Sequence, residues 1–186
     1  YILTEMLLSG KNFNDVLDEA KELGYAESDP TFDIGGIDAA HKLTILASIC
    51  FGIPLNYDSV YVEGIEDIDL QDLNNAMELG YTIKHLAIAR KSKYGIELRV
   101  HPCLVPNSRL LANVNGVKNA VVVNSDAAGP TLYYGAGAGS LATASSVVSD
   151  IIDIGRNLSI NSKKSTPFLG YMNNMVAEQE ILKISN

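Results

Sequence analysis

Apolar positions in the first half of the chain recur at helical spacing. "YILTEMLLSG" reads as the end of an apolar helix over 1–9, stopped by Gly10. A second helix is predicted over 13–23. Phe13, Val16, Leu17, Ala20 and Leu23 share one face, Asn12 is the N-cap, Asp15 lies near the capping-box position, and Gly24 closes the helix. After a charged loop at 25–36, a third helix is predicted over 37–51. Beyond Lys42 it is apolar nearly all round, the pattern of a buried helix.

The second half changes period. "SVYVEGI" reads as a short strand, and Asp69 or Asp72 opens a helix over 70–79 that ends at Gly80. "YTIKHLAIAR" and "GIELRVHPCLV" alternate and are joined by "KSKYG", which predicts a β-hairpin. "KNAVVVNS" and "PTLYYG" read as further strands. "GAGAG" then turns into a last helix over 140–156, with Ala144, Val147, Val148, Ile151 and Ile152 on its apolar face. From Asn157 the chain is polar and irregular, the pattern of a linker or a strapped-down tail. Helices first and strands later predict an α+β fold, a mixed β-sheet covered by helices.

Composition narrows the function classes. The chain has 186 residues, 47% apolar and 19% charged, which suits a core-forming domain. A net charge of −8 argues against nucleic acid or an anionic membrane as the main partner, since both reward a basic face. No apolar run approaches the roughly 18 residues of a membrane span. Cys50 and Cys103 form no CxxC and lie in apolar stretches, so both are expected to be buried thiols of a reducing, cytoplasmic compartment. There is no secretory signal pattern. The chain opens on Tyr1, in sequence that already reads as mid-helix, and is expected to be a piece of a longer protein.

Candidate chemistry concentrates in 24–42, "GYAESDPTFDIGGIDAAHK". Asp38 and Lys42 are four apart and share a helix face, which makes them an ion pair; the next positions on that face, Ile45 and Ile49, place the pair where the helix enters the core. A lysine there is expected to be partly desolvated and suited to giving up a proton. Glu27, Asp29 and Asp33 lie a short way upstream, Pro30 stiffens the loop, and Gly35 and Gly36 permit a close backbone approach. Carboxylates beside one lysine can hold a small zwitterion; a solvated acidic loop with capping aspartates has the same composition. "YYGAGAGS" at 133–140 is a glycine turn leading into a helix, suited to a phosphate or to a tight strand-to-helix crossing, though its pattern is not the dinucleotide GxGxxG. His41 neighbours the Asp38–Lys42 face and is a candidate pocket residue. His85 and His101 fall in strands and read as structural, and the three histidines show no metal spacing.

Residues 20–42, "AKELGYAESDPTFDIGGIDAAHK", resemble the signature of the homoserine dehydrogenase family. The matching elements are Ala20, Gly24, Tyr25, Glu27, Asp29–Pro30, Asp33–Ile34, Gly36, Asp38 and Lys42, in order and at the family's spacing. "ELGYTIKHLAIAR", "GIELRVHPCLVP" and "GPTLYYGAGAG" are similar to later blocks of that family, and the resemblance covers about 1–156. It implies a fold like the C-terminal domain of glyceraldehyde-3-phosphate dehydrogenase. It also implies a substrate-binding catalytic and dimerisation domain at 1–156, followed by a tail or linker at 157–186. The implied reaction is the NAD(P)-dependent interconversion of L-aspartate 4-semialdehyde and L-homoserine, on the way to threonine, methionine and isoleucine.

Under the resemblance, Lys42 is the proton donor and acceptor at the substrate oxygen and Asp38 the carboxylate that holds it in place. Glu27 binds the substrate ammonium, and Tyr25 and Asp33 contact the substrate. Gly135, Gly137 and Gly139 form the turn that approaches NADP or NAD. That cofactor is expected to bind mainly to an N-terminal domain outside this chain, as is a further active-site lysine, so the fragment alone is expected to be inactive. A homodimer or higher homo-oligomer is implied. A non-catalytic dimerising or ligand-sensing module with the same fold is the alternative. A dehydrogenase of the glyceraldehyde-phosphate type would need a catalytic cysteine, and neither Cys50 nor Cys103 has an activating base nearby in sequence.

Overall fold

A computed structural model describes residues 1–26, 28–137, 139–159 and 181–182. Helices α1 (Ile2–Ser9) and α2 (Phe13–Glu22) lead into a short helix, α3 (Thr31–Ile34), and then α4 (Ile37–Phe51). Strand β1 (Tyr61–Val62), helix α5 (Leu70–Glu78) and the long strands β2 (Tyr81–Ser92) and β3 (Gly95–Pro106) follow. Strands β4 (Lys118–Ser125) and β5 (Gly129–Ala136) precede the last helix, α6 (Ser140–Ser159).

The helix boundaries follow local chemistry. Asn12 accepts from the Asp15 amide at 3.0 Å and caps α2. Asp69 opens α5 with a full capping box: its side chain accepts from the Asp72 amide at 2.8 Å, and the Asp72 carboxylate accepts from the Asp69 amide at 3.2 Å. Gly10 ends α1 in the left-handed region, at φ 72°. The segment 25–36 is not wholly a loop. Pro30 and the Asp29 carboxylate, which accepts from the Thr31 amide at 3.1 Å, start the single turn of α3 inside it.

The β1–β3–β2 sheet is mixed, with β1 parallel and β2 antiparallel to β3. The β2–β3 register runs from Tyr81–Pro106 to Ser92–Gly95. Two hydrophobic clusters anchor helices to this sheet. Leu3 and Met6 of α1, Val16 of α2, and Leu73 and Ala76 of α5 gather around Ile83 of β2. Ala40, Leu43 and Ala47 of α4 pack on Ile96, Leu98 and Val100 of β3. Ile181 joins the second cluster and bridges to Ile96, and the Leu182 amide donates to the Ile96 carbonyl at 2.8 Å.

Three expectations about burial are corrected. Helix α4 is buried on one face only: Ile45, Leu46 and Ile49 are exposed. Cys50 lies on α4 and is exposed too, while Cys103 is half-buried and burial pushes its thiol up. The pair β4–β5 is a separate antiparallel ribbon, exposed along most of both strands, and every described side chain of α6 except Ala142 is exposed. A two-stranded ribbon has little stability alone, and an apolar surface of this kind marks a contact site. The apolar face expected on the last helix is present, but it finds no cover within the described residues.

Candidate active site

The N-terminus of α4 is set by Gly36, which occupies the left-handed region at φ 80° and accepts from the Ala40 amide at 3.0 Å. A Cβ at Gly36 would stand 3.0 Å from His85 Cε1 and 3.1 Å from Val100 Cγ1. Glycine is therefore required there twice over, by φ and by contact. We expect Gly36→Ala to destabilise the domain by about 2 kcal/mol, from left-handed strain plus crowding. Urea unfolding checks this, and an unchanged midpoint would refute the packing described.

Asp38 falls in the first turn of α4, where a carboxylate is favoured by the helix dipole. Lys42 Nζ donates to Asp38 Oδ2 at 2.5 Å, so the expected i,i+4 pair forms. Desolvation of the lysine by this chain's own core does not occur. The Lys42 side chain is 71% exposed, and Ile45 and Ile49 beyond it are exposed.

Beside this pair lies an open cleft of about 400 Å³. Tyr25, Asp33 and Asp38 line one side; Lys84 and His85 of β2 also line it, as do Lys118 and Asn119 of β4. Three of the five residues named for catalysis or substrate thus share one cavity. Lys42 stands at its edge through Asp38, and Glu27 lies outside the described residues. The Tyr25 ring packs on Tyr1 at 5.0 Å between centroids. Asp29 is turned to capping α3, and the Thr31 hydrogen bonds hold its carboxyl below the usual range.

His41 does not line the cleft. Its ring lies 5.6 Å from that of Phe32 and 4.4 Å from that of Tyr57. His85 lines it while keeping a structural hydrogen bond. Its Nε2–H donates to the Glu63 carbonyl at 2.9 Å, and burial lowers its pKa from the ordinary value, which keeps the ring neutral at neutral pH. The segment holding His85 is itself pinned: the Glu63 amide donates to the Val100 carbonyl at 2.8 Å, and the Ile65 amide to the Ile34 carbonyl at 3.0 Å. His101 stays in a strand, with Nδ1 2.9 Å from the Pro102 carbonyl.

At the glycine turn, the three positions differ. A Cβ at Gly137 would fall 1.7 Å from Asn119 Nδ2, so the turn presses directly on a residue of the cleft wall. A Cβ at Gly135 would meet open space, and Gly139 has φ 113°, a conformation that favours glycine. Ala138, between them, lies outside the described residues. The turn lies beside the cleft and ahead of α6.

Lys84 is the residue that sequence reasoning missed. Its ammonium donates to the Val114 carbonyl at 2.6 Å and to Asn115 Oδ1 at 2.9 Å. These acceptors lie 30 and 31 positions away, so no local pattern in β2 marks the lysine as special. Among the described residues, no helix is long and apolar enough to cross a membrane.

The mixed sheet with helices packed on it places the molecule in the α+β class represented by the C-terminal domain of glyceraldehyde-3-phosphate dehydrogenase. Residues 1–152 match the family model for homoserine dehydrogenase. A homoserine dehydrogenase of Pseudomonas aeruginosa is 57% identical over 99% of this chain and 42% of its own length. The crystal structure of a homoserine dehydrogenase from Thiobacillus denitrificans superposes with a TM-score of 0.90 at 55% identity, covering 98% of this chain and 42% of that one. A hyperthermophilic archaeal homoserine dehydrogenase mutant in complex with NADPH gives a TM-score of 0.65 at 32% identity, over 89% of this chain and 46% of that one. The chain belongs to the homoserine dehydrogenase family, and it spans about 42% of the length of the curated relatives it matches.

Proposed function

We propose that the complete protein is an NAD(P)-dependent homoserine dehydrogenase. It interconverts L-aspartate 4-semialdehyde and L-homoserine, in the cytoplasm, on the route to threonine, methionine and isoleucine. Residues 1–156 form its substrate-binding and dimerisation domain, and 157–186 a tail or linker. The observation that carries the reading is the Asp38–Lys42 pair at the edge of a cleft that Asp33 and Tyr25 also line, in a chain of this family.

The roles follow from chemistry. Glu27 takes the substrate ammonium, and Tyr25 and Asp33 orient the substrate. Asp38 holds the Lys42 ammonium toward the substrate oxygen, where Lys42 gives or takes the proton. A nicotinamide nucleotide supplies or accepts the hydride and is held mainly outside this region. Gly135, Gly137 and Gly139 form the turn that it approaches. The rest of the complete chain, together with a second copy, covers Ile45 and Ile49 of α4, the apolar face of α6 and the β4–β5 ribbon; Lys42 is desolvated by that covering rather than by its own core. Residues 1–186 alone turn over no substrate. The complete chain, given L-homoserine with NAD⁺ or NADP⁺, is expected to accumulate reduced nicotinamide. No reduction with either nucleotide would overturn the proposal.

A further inference from the structure

The roles above leave two cationic side chains of the cleft, Lys84 and Lys118, without a task. Lys84 lines the cavity that Asp33 and Asp38 also line. Its ammonium is half-buried, and burial holds its pKa below the ordinary lysine value. Both of its hydrogen-bond acceptors, the Val114 carbonyl and the Asn115 side-chain oxygen, are neutral. Among the described residues, no carboxylate lies within ion-pair distance of it. An ammonium has three N–H groups, so two neutral acceptors leave a donor over. A half-buried cation served only by neutral acceptors is costly, and an anion that completes its shell is bound accordingly. Lys118 also lines the cleft but is exposed on β4, where water solvates it and little is gained by pairing.

The amino-acid substrates of the reading above carry three polar groups. Glu27 is assigned the ammonium and Lys42 the reacting oxygen, which leaves the α-carboxylate unpartnered. We propose that Lys84 binds the α-carboxylate of the amino-acid substrate, using the donor its two neutral acceptors leave over. The inference rests on the dehydrogenase reading and extends it. It makes Lys84 the specificity element that separates an α-amino acid from a plain amino alcohol.

The test uses the complete chain, L-homoserine as substrate, and 3-aminopropan-1-ol, which is homoserine without its carboxylate, as competitive inhibitor. Lys84→Met is expected to raise KM for homoserine by about 10- to 100-fold, the loss of one charge-assisted hydrogen bond, and to leave the Ki of 3-aminopropan-1-ol within about threefold. Lys84→Gln, which keeps a donor for the Val114 carbonyl, should show the same split if Lys84→Met fails to fold. A Lys84→Gln enzyme with unchanged KM for homoserine would overturn the inference. So would an equal rise in both constants, which would make Lys84 a tie between β2 and the 114–115 segment and nothing more. If the wild-type chain oxidises no homoserine at all, the dehydrogenase reading has failed rather than the assignment of Lys84 within it.

Discussion

Lys42→Ala in the complete chain lowers kcat for homoserine oxidation by about 10²- to 10⁴-fold and leaves KM nearly unchanged. The size follows from the role proposed for the side chain. Hydride transfer to the aldehyde carbon creates an alkoxide, and hydride removal from the alcohol requires loss of the hydroxyl proton. In the role proposed for it, a lysine at the edge of the cleft serves both directions, and its Nζ donates to Asp38 Oδ2 at 2.5 Å. In isolation such an exposed i,i+4 pair contributes only a few tenths of a kcal/mol to the helix, so the substitution acts on the rate and not on the fold. Lys42→Arg should not rescue the rate, because a guanidinium keeps its proton at any working pH. Steady-state kinetics in both directions checks the split. A near-wild-type kcat in Lys42→Ala would remove this lysine from the chemistry.

Leu98→Ala destabilises the domain by about 3 kcal/mol, the usual cost of a cavity in a closed core. Leu98 has no exposed surface and sits near the start of β3, between Ile96 and Val100, against Ala40, Leu43 and Ala47 of α4. The small alanines on α4 let the helix approach the strand closely, so little side-chain bulk is free to relax into the space left behind. The consequence reaches the site, because α4 carries Asp38 and Lys42 and is held to the sheet by this cluster. Urea unfolding of wild type and Leu98→Ala measures the loss. A change below about 1 kcal/mol would show that the helix is held elsewhere.

Much of this fold is written in local pattern. Asp69 and Asp72 announce α5 because a capping box needs only residues three apart. The β2–β3 hairpin is legible because alternation and a glycine turn are short-range signals. What local pattern could not supply is the identity of the covering partner. Helix α4 is apolar nearly all round, but periodicity does not say whether Ile45 and Ile49 are covered by this chain or by something else; they are exposed here, and Cys50 with them. The same gap misplaced the desolvation of Lys42. Lys84 went unread for a different reason: it is one polar residue in an alternating strand, and only the tertiary approach of Val114 and Asn115 gives it a role. His41 turned from the cleft to the Tyr57 ring for the same reason, since that contact depends on distant chain.

The most direct test of the account is a structure of the complete protein with a nicotinamide nucleotide and L-homoserine bound. The substrate hydroxyl is expected within about 3 Å of Lys42 Nζ, in the cleft lined by Tyr25, Asp33 and Asp38. Homoserine bound with its hydroxyl directed away from Lys42, or in a cavity that Asp38 does not line, would contradict it.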